Sequence, residues 1–115
     1  MRIQTKRAYL PAQASDGKRL LVDRLWPRGV SKDEAKIDQW LKELAPTTEL
    51  RKWFAHDVAK WPEFEKRYKA ELSDNPLLDE LIILAKSTDI CLVYAAKDEL
   101  HNNAQVIKAY LESRL

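Results

Sequence analysis

Residues 23–29 read DRLWPRG, which sets Arg24 and Arg28 around Trp26 and Pro27 and ends in one of the chain's two glycines. A guanidinium fork matches the paired oxygens of a phosphate or carboxylate, and an indole beside it offers a face to a planar group. The chemistry this loop suits is anion binding, with Arg24 and Arg28 on the charge, Trp26 stacked on a planar part and Asp23 orienting an arginine. The competing explanation is structural: Asp23 pairs with one arginine and Trp26 packs beneath the other, since buried charges are normally paired.

A second polar stretch, AKDELHNN at residues 96–103, supplies Lys97, Asp98, His101 and Asn102. Asp98 and His101 stand three residues apart, on one face if the segment is helical. A histidine held by a carboxylate is the usual form of a general base or a metal ligand. Arg51 in ELRKWF adds a third guanidinium, and His56 lies just beyond it. As ligand-binding positions these motifs nominate Asp23, Arg24, Trp26, Arg28, Arg51, Lys97 and Asn102. Were the protein a catalyst, Asp98 or His101 would be its acid–base group, with His56 behind them. Plainer readings exist for part of this set: Asp57 as a helix cap and His56 as a partly exposed loop residue.

Other reactive side chains have simpler explanations. Cys91 in ICLVY reads as a small buried hydrophobe rather than a nucleophile. As the only cysteine it rules out an intrachain disulfide and any multi-cysteine zinc site, and it suits a reducing compartment. Two histidines without a helical HxxxH spacing give no metal-ligand pattern, so neither a metal nor a cofactor is expected. Tyr9 and Tyr94 are candidates for a pocket wall, with a core role favoured for Tyr94, and Ser31 is explained by a capping box with Glu34. GxSxG, P-loop and GxGxxG patterns are absent from the sequence, which leaves serine hydrolase, P-loop NTPase and Rossmann dehydrogenase readings without a motif.

The elements that must position these residues follow from hydrophobic patterning. Leu20, Leu21 and Val22, bounded by Gly17 and Pro27, read as a buried strand between turn signals, and residues 90–96 form an unbroken apolar run suited to a strand covered on both faces. These two strands should form the centre of the sheet. RIQTKR is a weaker strand nearer an edge, and KIDQWL reads either as a short strand or as part of a helix. Between them SKDE opens a short helix, Thr47 or Thr48 caps ELRKWF, Trp61, Phe64, Tyr68 and Leu72 make an apolar stripe, and Asn75 with Pro76 begins a further helix. A last helix is expected over about residues 100–114.

The predicted fold is a single small α/β sandwich over residues 1–115, with a short mixed or mainly parallel sheet flanked by helices. Ligands of such sheets bind beyond the carboxyl ends of the strands. Both polar stretches follow the two central strands. If those strands are parallel neighbours the stretches share one rim, and the backbone N–H groups of the helix beyond Asp98 would join it. Arg28 and Lys97 at opposite ends of the sheet would refute this.

Bulk properties limit the partners. Twenty Lys and Arg against 18 Asp and Glu leave a net charge of +2, too small by itself to predict polyanion binding. A nucleic-acid-binding module using the same arginines on phosphate and Trp26 on a base is the first rival. An accessory protein-interaction domain is the second, because Trp, Tyr and Arg are the usual interface anchors. The opening MRIQTKRAYL lacks the apolar run of a secretory signal, and no stretch is long and apolar enough to span a membrane. The expectation is a cytoplasmic domain with no membrane partner that binds an anionic small molecule, bearing phosphate or carboxylate, with nucleotide-like compounds among the candidates.

Taken together, LLVDRLWPRG, APTTELRKWFAHD, FEKRYKAEL and LVYAAKDELHNNA resemble the YeaO-like family, small bacterial proteins grouped as a domain of unknown function. The resemblance covers nearly the whole chain. It implies a compact cytoplasmic α/β domain whose recurrent polar positions correspond here to Asp23, Arg24, Trp26, Pro27, Arg28 and Gly29, with the segment around Leu50 and Arg51 and the Lys97 loop in the same pattern. It brings no settled activity. One departure is visible: the last motif of the family commonly reads Asn-His-Ala, where this chain has Asn102, Asn103 and Ala104, with a histidine two places before Asn103 at His101. If a histidine at that place carries chemistry in relatives, it is lost or moved here, which weakens a catalytic assignment to His101.

Overall fold

The computed structural model describes residues 2–115. Strands β1 (Ile3–Arg7), β2 (Lys18–Leu21), β3 (Gln39–Trp40) and β4 (Ile90–Tyr94) form one four-stranded sheet in the order β1-β4-β2-β3. Every pairing is parallel, so the choice between a mixed and a mainly parallel sheet resolves to a wholly parallel one. β4 has a neighbour on each side and all five of its residues are buried, which accounts for its unbroken apolar run. β1 and β3 are the edges, and the ambiguous KIDQWL contributes only the two residues of β3.

Among the described residues five α-helices accompany the sheet: α1 (Lys32–Ala35), α2 (Thr48–Phe54), α3 (Trp61–Ser73), α4 (Pro76–Ser87) and α5 (Asn103–Arg114). The expected caps are in place, with Ser31 Oγ accepting from the Glu34 N–H, Thr47 from Leu50 and Asn75 from Leu77. α5 starts three residues later than its apolar pattern suggested. Asp98 Oδ1 accepts the N–H groups of both Leu100 and His101, a local turn that competes with helix. Asn102 then caps the helix by accepting from Gln105.

The two faces of the sheet are covered differently. Leu20, Val22, Leu92 and Tyr94 point into the main core, where they meet Phe54, Phe64, Tyr68, Leu81 and Ile107 from α2, α3, α4 and α5. The other face carries Ala8, Leu21, Cys91 and Val93 beneath Trp26 and Ile37, so irregular segments rather than long helices cover it. Cys91 is fully buried there and burial pushes its thiol up, as befits a structural cysteine. The same face holds a buried polar cluster that sequence patterning did not reveal: Asp16 takes Lys6 Nζ at 2.9 Å and Arg19 Nη1 at 2.7 Å. Among the described residues no helix is long and apolar enough to cross a membrane.

Tyr68 shows how the main core is locked to the loop before α2. Its ring is inaccessible, and its hydroxyl donates to the Leu44 carbonyl at 2.7 Å. Tyr68→Phe strands that carbonyl in the core, and the expected loss is about 1–3 kcal/mol in urea unfolding. A loss of only a few tenths would mean that the bond contributes nothing net.

Candidate functional site

β2 and β4 are parallel neighbours, with Leu20 beside Leu92 and Leu21 beside Val93, so the chain leaves both at the same rim. Between these exits and α2 lies a cleft of about 730 Å³. Each residue nominated from the sequence lines it: Asp23, Arg24, Trp26 and Arg28 after β2, Arg51 and His56 in and after α2, and Lys97, Asp98, His101 and Asn102 between β4 and α5. Arg28 and Lys97 therefore share one end of the sheet. Tyr9 joins this wall, while Tyr94 is buried in the core.

The positive side of the cleft is uncompensated. Arg24, Arg28, Arg51 and Lys97 form no ion pair within 4.0 Å among the described residues, where the pairs are Lys6 and Arg19 with Asp16, Arg67 with Glu63, and His101 with Asp98. Arg24 reaches only the Pro46 carbonyl, at a long 3.5 Å, and its buried Nε has no partner. Arg28, Arg51 and Lys97 are exposed, and the Arg28 carbonyl accepts from the Tyr9 hydroxyl at 3.1 Å. The competing explanation of the arginine loop, in which Asp23 neutralises an arginine, is not what these contacts show.

Asp23 instead ties the rim together. One oxygen accepts from the Ala95 N–H at 2.8 Å, just after β4, and the other from Asn103 Nδ2 at 3.1 Å. Asn103 also donates to the Val22 carbonyl at 2.9 Å. The residue that had stood out only as a departure from the family pattern thus braces the end of β2 against the start of α5. Burial pushes the Asp23 carboxyl above the usual 3.8, with the two hydrogen bonds opposing the shift.

Trp26 is half-buried and divided between two tasks. Its Nε1 donates to the Val30 carbonyl at 2.7 Å and its ring meets Trp40 edge-on at 5.6 Å, while it packs over the second face of the sheet. The indole lines the cleft and also anchors the loop, so ligand stacking is at most one of its roles.

The Asp98–His101 pair does form, with Nδ1 and Oδ2 2.9 Å apart. Its cause is the turn in which Asp98 Oδ1 accepts from Leu100 and His101, not a shared helical face. The Leu100 N–H and the His101 side chain are the leading causes holding the Asp98 carboxyl below its usual value. The backbone N–H groups of residues 100 and 101, expected to be open to a ligand, are thus satisfied by Asp98 itself. His101 stands edge-on to Trp61 at 5.2 Å. Asn102 is buried, accepting from Gln105 and donating to the Asp98 carbonyl at 2.9 Å, which makes it chiefly a structural residue.

His56 reaches the cleft because the chain reverses sharply after α2. Ala55 and His56 both adopt left-handed backbone, with φ of 47° and 57°, a conformation costly for residues with a side chain and concentrated at functional sites. Asp57 caps the next turn by accepting from Ala59 at 3.0 Å, as its position suggested, and is not a partner of His56. Among the described residues no three His, Cys, Asp or Glu side chains converge to hold a metal ion.

These features define a class: a small parallel α/β domain with an uncompensated cationic cleft beyond the carboxyl ends of its central strands. Over residues 2–115 the chain matches the family described as the inactive DUF488-N3 subclade, and it belongs to that YeaO-like family. It is 45% identical over 114 residues to the uncharacterized protein YeaO of Escherichia coli, covering 98% of this chain and 99% of that protein. Uncharacterized proteins of Mycobacterium bovis and Mycobacterium tuberculosis are 36% identical over 113 residues, 98% of this chain and 96% of theirs. No solved structure matches the chain.

Proposed function

We propose that this chain is a cytoplasmic domain that binds a small-molecule anion, bearing phosphate or carboxylate, in the rim cleft. The observation that carries the reading is the set Arg24, Arg28, Arg51 and Lys97, which line one concavity without a carboxylate partner among the described residues. Four cations against the two carboxylates of the same cleft, Asp23 and Asp98, leave a positive excess, and a bound anion relieves the repulsion among them. Concavity favours a small molecule over a flat protein interface, and a volume of about 730 Å³ lies in the usual range for ligand pockets. The buried Cys91 is in keeping with a reducing compartment. The description of the family as inactive favours binding over turnover, and His101, Asp98 and His56 are the groups to mutate if turnover is found.

The test is a thermal-shift panel of inorganic phosphate, sugar phosphates, nucleotides and carboxylates on wild type, Arg28→Ala and Arg51→Ala. A ligand of the folded state at a hundredfold excess over its Kd adds about 2.7 kcal/mol, or roughly 10 °C in Tm for a domain of this size. Stabilisation by one anion class, reduced in both variants and weakened by salt, is the expected result. An absence of any shift across the panel would sink the reading. An oligonucleotide that binds with a steep salt dependence, where no small anion does, would replace it with the nucleic-acid alternative.

A further inference from the structure

We infer that Asp23 is a specificity-determining acceptor, and that the ligand is a phosphate monoester whose body presents a hydroxyl group to it. The inference rests on the anion-binding reading above and names the ligand class for that same cleft. Asp23 lines the cleft and is not engaged by any of its cations. An ionised carboxylate offers about four lone-pair sites. The Ala95 N–H and the Asn103 amide occupy one on each oxygen, which leaves acceptor capacity for a ligand donor. Those two donors come from separate elements, the residue that follows β4 and the first residue of α5, and hold the carboxylate in one orientation before any ligand arrives. Such pre-orientation is what a hydrogen bond needs if it is to discriminate between ligands.

Charge decides the nature of the donor and of the anion. An ammonium group beside Asp23 would also face Arg24, Arg28, Arg51 and Lys97, which line the same cleft without ion-pair partners. A neutral hydroxyl escapes that repulsion. Against so many cations a phosphate monoester, with about −1.5 to −2 charge near neutral pH, is a better match than a single carboxylate. Asp98 has less acceptor capacity to offer a ligand hydroxyl, because three of its roughly four lone-pair sites already accept, from the Leu100 N–H, the His101 N–H and the His101 ring.

The experiment compares ribose 5-phosphate with cyclopentylmethyl phosphate, which keeps the ester and a five-membered ring but lacks hydroxyls. Binding of both to wild type and Asp23→Asn is measured by calorimetry, with inorganic phosphate as the reference anion. The expected result is a preference of about tenfold or more for the hydroxylated ester, the effect of one hydrogen bond to a charged group, and a ratio near one in Asp23→Asn. Equal wild-type affinities for the two esters would overturn the inference while leaving the anion-binding reading in place. So would an Asp23→Asn variant in which the preference persists. If wild type binds neither ester nor phosphate, this inference falls together with the phosphate half of the anion-binding reading, and the carboxylates of the panel decide the other half. Should Asp23→Asn fail to fold, the wild-type ratio alone decides.

Discussion

Gly17→Ala is expected to remove about 3–5 kcal/mol of folding stability, a large share of the roughly 5–15 kcal/mol available to a typical domain. Gly17 adopts φ 73° and ψ −140°, a region open essentially to glycine alone. An added Cβ would collide with the Asp89 carbonyl oxygen and lie 2.7 Å from its carbon. That carbonyl cannot swing away freely, because it accepts the Lys18 N–H at 3.0 Å where β2 begins to pair with β4. Strain and collision act on the same few atoms, so relief of one worsens the other. Urea unfolding gives the cost directly, and the Tm should fall by more than 10 °C. A change below about 1 kcal/mol would show that β2 can retreat from β4 at little expense. The strands held together at Gly17 are the two whose far ends carry the cleft, so weaker anion binding should accompany the loss of stability.

Asp16→Ala should be comparably damaging for a different reason. Asp16 and Arg19 are 1% and 3% exposed, and Arg19 Nη2 already lacks a partner. Removal of the carboxylate leaves the guanidinium buried with only the Ala35 carbonyl, 2.8 Å from its Nε. Breaking a buried pair in this way costs about 3–5 kcal/mol. Replacing both partners, as Asp16→Ala with Arg19→Met, should cost less than Asp16→Ala alone, since the buried guanidinium is then gone, while Lys6, less buried, keeps the Pro11 carbonyl at 3.2 Å. A double variant worse than the single one would refute this account.

The pH dependence supplies an independent check. Burial pushes the Asp16 carboxyl up, but the Gln13 N–H, Lys6 and Arg19 outweigh it and the net shift is below 3.8. A depressed folded-state pKa contributes stability above the unfolded value and loses it as pH falls through the folded one. Wild type should therefore lose stability in acid below about pH 4, where Asp16→Ala should show a flatter profile. Asp23 has the opposite sign. Its carboxyl is raised, so the folded state takes up that proton first, and stability from this group grows as pH falls from the folded value toward 3.8.

What could be read from the sequence depended on how local each signal was. The apolar runs that became β2 and β4 announced a covered pair of strands. Once those are parallel neighbours, the placement of Arg28 and Lys97 at one rim follows from topology alone. The start of α5 was misjudged because apolar periodicity says nothing about an aspartate that captures the next two N–H groups. The roles of Asp23 and Asn103 were out of reach for another reason: their hydrogen bond joins positions 80 residues apart, and no spacing rule links them. The buried Asp16–Arg19 pair was out of reach as well, since only the fold of residues 8–16 over the sheet covers it.

The unequal covering of the sheet bears on how this protein can diversify. Residues 23–29 supply cations to the cleft, and through Trp26 they also roof Leu21, Cys91 and Val93. A substitution there that retunes recognition also disturbs packing, so most such changes are removed by selection before any new preference can spread. Arg51 and His56 reach the cleft from α2 and the turn after it, are themselves exposed, and bear on the core only where the His56 ring lies tilted to Phe54 at 6.2 Å. Divergence in ligand preference among descendants of this chain should therefore accumulate at the α2 side, while the DRLWPRG loop changes slowly whatever is bound.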